Sequence, residues 1–372
     1  MTISTCMKKF SIATASAALS FVVNESIAQA VSFNFSTGSG TSQEVINALN
    51  AAGDLWSPIF TDDATLDIGF RFSTEPNGAA STLLDFSYEQ VRNALILDQT
   101  SNADFRAVSA LQNTPSLEFL INFTSDNPNG FGSPTPYLDN NGSSNNTTIR
   151  MTASNAKALG LDRADAMGKT IFLGGDLSRD AVVILNPFGL GGRLWDFDRS
   201  DGISAGTVDF TGIVAHELGH VLGFSSGVDI LDRNSGFLAE DQLLWLNTLD
   251  LFRFSEDSIA FGEGILDWTA NTTDKFFSID GGANKIASFS TGFFNGNGGF
   301  PGHWQSLGTG IMDDFLTPFI GQEAQISSND ILAIDVIGWN LADSTSIPET
   351  TSTLSLLALA TCGVGSVLLK KR

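Results

Sequence analysis

Cysteine is nearly missing from this chain. Of 372 residues only Cys6 and Cys362 are cysteines, one near each end, so the long body between them can form no internal disulfide and must hold its fold by packing, hydrogen bonds or metal. Basic residues are scarce as well: 19 Lys and Arg stand against 41 Asp and Glu, giving a formal net charge of −22. Five of the basic residues (Lys8, Lys9, Lys370, Lys371 and Arg372) lie in the end segments, so the body is more acidic still. Such a surface repels polyanions, which excludes nucleic acid as a partner and favours cations. Tyrosine occurs twice against 29 phenylalanines, and no internal repeat is present, which excludes a solenoid. Histidine occurs three times, at His216, His220 and His303, so any imidazole chemistry must use these three. With 42% hydrophobic residues the chain can bury a sizeable core.

The ends read as targeting segments. Lys8 and Lys9 precede an uncharged stretch from Phe10 to Val23, and Ala28-Gln29-Ala30 supplies the small residues of a cleavage site, so residues 1–30 are expected to be a secretory signal. At the other end Pro348-Glu349-Thr350 leads into an uncharged run to Leu369 and then Lys370, Lys371 and Arg372. This resembles a bacterial PEP-CTERM sorting tail, with threonine where the second proline of the motif would stand. The resemblance implies a tail at 346–372 that engages the membrane before a sorting or processing peptidase removes it, and a secreted or cell-surface body. A permanent single-span anchor is the competing reading.

Within the body, Ser42 caps an expected amphipathic helix to about residue 59, and residues 64–73 alternate like a strand. Helices are expected over about 88–97 and 103–111, strands over 117–124 and 181–188, and a last helix over about 328–337 ended by Gly338. Residues 125–148, rich in Gly, Pro and Asn, read as a surface loop without order. The apolar run 181–188 is a candidate sheet edge for holding an extended peptide.

The chemistry concentrates in "HELGH", residues 216–220. Asp209 can cap a helix whose Phe210, Val214, Leu218, Val221 and Leu222 share one side, leaving His216, Glu217 and His220 on another. Two imidazoles one turn apart grip a single zinc ion, and the adjacent carboxylate can act on water at the metal. A catalytic zinc takes three protein ligands. His303 supplies the remaining imidazole; Asp229 and Glu240 are the alternatives, while Ser226, six residues after His220, is a poor zinc ligand. Gly223 permits an abrupt turn after the helix. Asp196, Asp198 and Asp201 are either a calcium loop or a solvated turn.

These residues resemble the metzincin-type zinc metalloproteases, in the leishmanolysin-like form with a long insertion before the third histidine. His216, Glu217, His220 and Gly223 match the family's helix, His303 its displaced ligand and Met312 its methionine turn; "LDLFRFS", "FFSIDGG" and "AIDVIGWNL" look like secreted bacterial members that carry such tails. The resemblance implies an α+β fold of residues 31–345, with a twisted sheet and active-site helix above a cleft (31–223) and an irregular C-terminal subdomain with the Met-turn (224–345). It also implies Zn2+, Glu217 as the catalytic base, and a protein or peptide substrate. A non-catalytic zinc-containing surface or matrix protein and a zinc hydrolase of non-peptide bonds are the alternatives.

Overall fold

The computed structural model describes residues 30–74, 77–171, 178–305, 308–314 and 319–342; the expected signal, Ala30 apart, and the expected tail lie outside them. The class is mixed α+β. The largest sheet contains β1 (Ser32–Thr37), β2 (Thr65–Phe72) and β3 (Gly78–Ser87). Its remaining strands follow the short pair β4 (Phe119–Ile121) and β5 (Tyr137–Asp139): these are β6 (Thr148–Thr152), β7 (Gly168–Ile171) and β8 (Ala181–Leu185). The order is β1-β2-β8-β3-β6, with β7 also on β3; β1, β2 and β8 are parallel and β3 runs against its neighbours.

β8 is therefore interior, bonded to β2 on one side and β3 on the other, which corrects its expected role as a peptide-holding edge. The physical reason is visible in its composition: all five residues are buried, and an unbroken apolar run belongs to a strand covered on both faces. The open edge belongs to β3. Over Gly78–Ser81 its only strand partner among the described residues is β8, and β6 joins it from Leu83 onward. Arg150 of β6 grips Asp85 of β3 in a fork at 2.6 and 2.7 Å.

Helix α1 (Gln43–Trp56) starts at Ser42, whose hydroxyl accepts from the Val45 amide, and it packs on the central helix through Trp56, which donates to the Ala215 carbonyl at 2.9 Å. Helices α2 (Tyr88–Asp98) and α3 (Asn102–Ser109) each begin at a serine with a reciprocal capping box. Residues 125–148 are not without order: they contain β5 and the single turn α4 (Ser144–Thr147), and Asn127, Asn145 and Asn146 are buried with their amides bonded to backbone or to Asp139. A stretch rich in Asn and Gly reads as a free loop because sequence pattern records apolar periodicity, whereas this segment is held by side-chain amide hydrogen bonds.

After α5 (Ala153–Ala158), the central helix α6 (Phe210–Leu222) has every residue but His220 buried, so it is surrounded by protein rather than laid on a surface. The chain beyond α7 (Val228–Asn234) is built of two- and three-residue strands, and α9 (Ser328–Asp335) follows α8 (Glu256–Phe261). The end of the described chain returns to the beginning: Leu341 bridges Phe60, and Trp339 donates to the Leu222 carbonyl at 2.8 Å, closing α6.

Where that return crosses α2 and α3, four carboxylates meet. Asn340 donates its amide to Asp62 at 2.8 Å and its side-chain nitrogen to Asp98 at 3.1 Å, while Ser101 donates to Asp335 at 2.8 Å beside Asp104. Burial, reinforced by the neighbouring carboxylates, pushes Asp62 up to about 6, Asp98 to about 7 and Asp335 to about 8. The folded state therefore keeps protons that the unfolded chain releases near pH 4, so this cluster favours folding most below that value and progressively less up to about pH 8. Asp98→Asn is expected to raise the thermal midpoint near pH 8 and to leave it nearly unchanged near pH 4, as followed by circular dichroism melts.

Candidate metal centre

Asp209 is fully buried and begins the central helix by accepting from the Gly212 amide at 3.0 Å, and Arg199 pairs with the same carboxylate. This cap fixes where α6 begins, and so fixes the face on which His216 and His220 emerge. Gly223, at φ 124°, ends the helix, and the chain turns back so that the Phe224 carbonyl lies 2.6 Å from His220 Nδ1. An added Cβ at Gly223 would meet Ile337 at 2.9 Å and Asn155 at 3.2 Å, so both the backbone twist and the close approach demand glycine.

His303 arrives from 83 residues further on. Its Nε2 lies 3.1 Å from that of His220 and 3.3 Å from that of His216, and the latter two are 3.2 Å apart. Among the described residues this is the only group of three His, Cys, Asp or Glu whose ligand atoms come within 4.8 Å of one another. Three imidazole nitrogens each about 2.0–2.1 Å from one tetrahedral ion stand about 3.3 Å apart, which matches the observed spacing. The outward-facing nitrogens agree. Nδ1 of His216 faces the Ile311 carbonyl at 2.7 Å, that of His220 the Phe224 carbonyl, and that of His303 the Phe300 carbonyl at 3.3 Å. A carbonyl only accepts, so each Nδ1 carries the proton and each Nε2 offers its lone pair inward. Burial drives all three rings towards the neutral form that ligation needs: His216 falls to about 3, helped by His220, and His220 and His303 are also lowered.

Glu217 projects from the same helix, and its carboxylate accepts the Ala79 amide from the open edge of β3. Burial lifts it to about 8 against that hydrogen bond. Met312 is fully buried; a side chain at Gly219 would overlap its sulfur, so the helix rests directly on it. The cleft above these groups has a volume of about 500 Å3 and is walled by the β3 edge, Trp245, Phe300 and Phe319.

No family model matches the chain, and neither a curated protein nor a solved structure matches it.

The other candidate ligands are placed elsewhere. Glu240 accepts from Tyr137 Oη at 2.7 Å and is no part of the cleft wall. Asp229 does line the cleft, but one of its oxygens accepts the Gly302 amide at 3.3 Å, so it braces the turn before His303. Ser226 donates to Asp250 at 2.6 Å. Asp196 and Asp198 take loop amides, including those of Ser204 at 2.9 Å and Ser200 at 2.8 Å, and with Asp201 they do not converge on one point. Sequence reasoning missed two supports. Ala79 leaves no signal in sequence at all. Asp330, in the first turn of α9, is fully buried and accepts from Trp304 Nε1 at 2.8 Å and from the amides of Ile311 and Met312, so it sets the loop that faces His216. Its only sequence signal is the Ser327 cap three residues before it.

Proposed function

We propose that this protein is a secreted zinc-dependent endopeptidase of metzincin-like build. The observation that carries the proposal is the mutual 3.1–3.3 Å spacing of three Nε2 atoms, each turned inward by a carbonyl on Nδ1, beside a buried carboxyl on the same helix. The donor set is three imidazoles, one ligand fewer than structural zinc sites take. His216, His220 and His303 would hold the ion, which when bound would supply a Lewis acid for a carbonyl and for water.

The chain's own groups account for the rest. Glu217, on the same helix as His216 and His220, would in its ionised form take a proton from attacking water and return it to the departing amine. Among the described residues, no second strand pairs the edge of β3 at Gly78–Ser81; its Ala79 amide is taken by Glu217, and its other backbone groups would receive an extended peptide as an added strand. An extended polypeptide fits this edge better than a small ester or a sugar, because strand addition needs a peptide backbone. Zymography on casein or gelatin tests the reading: clearing that a chelator abolishes and zinc restores is expected, and a zinc-loaded, folded protein that clears neither would refute it.

A further inference from the structure

The loop that leads to His303 presents three phenylalanines to solvent. Phe293, Phe294 and Phe300 are 47%, 61% and 37% exposed. They are not scattered. The rings of Phe293 and Phe300 stack at 4.8 Å with 11° between their planes, and Phe294 meets Phe293 edge-on at 5.0 Å. Phe300 is itself a wall of the cleft, its ring 6.3 Å from that of His303, so the aromatic strip runs without a break from the metal centre outward.

The backbone beneath this strip is firmly held. Asp232, on α7 and 2% exposed, accepts the amide of Phe294 at 2.8 Å with one oxygen and that of Asn295 at 2.9 Å with the other. Asn297 accepts the Thr291 amide at 2.9 Å, and the Thr291 hydroxyl accepts the Asn297 amide at 2.9 Å. Asp314 accepts the Phe300 amide at 3.1 Å. Two buried or half-buried carboxylates thus hold a loop that leaves a third or more of each of the three phenylalanines exposed, with the Arg233 guanidinium 5.7 Å from the Phe294 ring. Exposed apolar area of this kind, rigid and continuous with a cleft, marks a binding surface.

We infer that Phe293, Phe294 and Phe300 form a shelf that binds large apolar side chains of the substrate polypeptide, at positions outside those flanking the cleaved bond. This rests on the peptidase reading. The occupant is the substrate because the strip is continuous with the cleft: Phe300 lines the same cleft as the β3 edge and His303. It favours unfolded or loosely folded protein segments, in which Phe, Leu and Trp are available, over short polar peptides.

The test uses three quenched fluorescent peptides with one cleavable core: the core alone, the core extended at both ends by segments bearing Phe and Leu, and the same extension with Ser at those positions. The wild-type protein is expected to cleave the apolar extension with kcat/KM about tenfold above the other two, mainly through KM. The double variant Phe293→Ser, Phe294→Ser should lose that advantage while keeping kcat/KM on the core and its zinc content. Equal cleavage of all three peptides by the wild-type protein would overturn the shelf and leave the peptidase reading standing. Failure to cleave any of them with zinc bound would overturn both. Should the double variant keep its preference but change from dimer to monomer in solution, the shelf would belong to self-association instead.

Discussion

Glu217→Gln is expected to lower peptide cleavage about 100- to 10,000-fold while leaving zinc content unchanged. The two effects separate because Glu217 is not among the three converging nitrogens, so the metal keeps its ligands when the carboxyl is replaced. The amide is also nearly isosteric and can still accept the Ala79 hydrogen bond, so the edge of β3 stays in place. What the change would remove is the proton-exchanging group of the proposed mechanism. Single-turnover kinetics on a peptide, beside metal analysis of the same sample, reads both quantities. Undiminished cleavage would remove Glu217 from the chemistry, and loss of zinc would make it a ligand.

His303→Ala should damage metal binding far more than a change at either rival acidic residue. Removing the third imidazole leaves two ligands one helical turn apart, and the loss in zinc affinity should exceed the about 10- to 100-fold typical of disturbing only an outer hydrogen bond. Asp229→Asn and Glu240→Gln provide the contrast, since both residues are rival ligands by sequence. Glu240→Gln should leave zinc affinity unchanged, because that side chain is engaged with Tyr137 away from the cleft. Asp229→Asn can still accept from Gly302 and should weaken zinc at most modestly. Competition against a chromophoric chelator ranks the three variants. If Asp229→Asn lost the metal and His303→Ala retained it, the ligand set proposed here would be wrong.

Much of the fold could be read from short-range pattern. Ser42, Ser87 and Ser101 sit at the starts of α1, α2 and α3, where a hydroxyl satisfies a free amide of the first turn, an effect confined to three or four residues. The apolar spacing of α6 gave a helix, although it suggested one buried side where the helix is enclosed on nearly all. Local pattern fails where long-range partners decide. The apolar run at β8 reads as an edge because pairing on either side is invisible along a single strand, and residues 125–148 read as a free loop because the anchors of their amides are set by tertiary contact. The roles of Asp229, Asp232 and Asp330 are of the same kind. None is marked in sequence as a brace, Asp229 reading instead as a rival ligand, and each becomes a support through backbone amides brought to it from 18 to 73 positions away.

By itself the sequence determined the inventory: three histidines in all, two of them one helical turn apart with a glutamate between, a helix with an apolar side to carry them and no cysteine to compete for metal or brace the body. Those are properties of composition and of the 3.6-residue turn, which operate within a few positions. Only the tertiary structure decided that His303 comes within 3.3 Å of the helical pair, that β3 rather than β8 has an open edge among the described residues, and that Phe293 and Phe294 continue the ring of Phe300 outward from the cleft. These depend on segments scores of residues apart being packed together, and that is set by the balance of burial across the entire core, which no local pattern records.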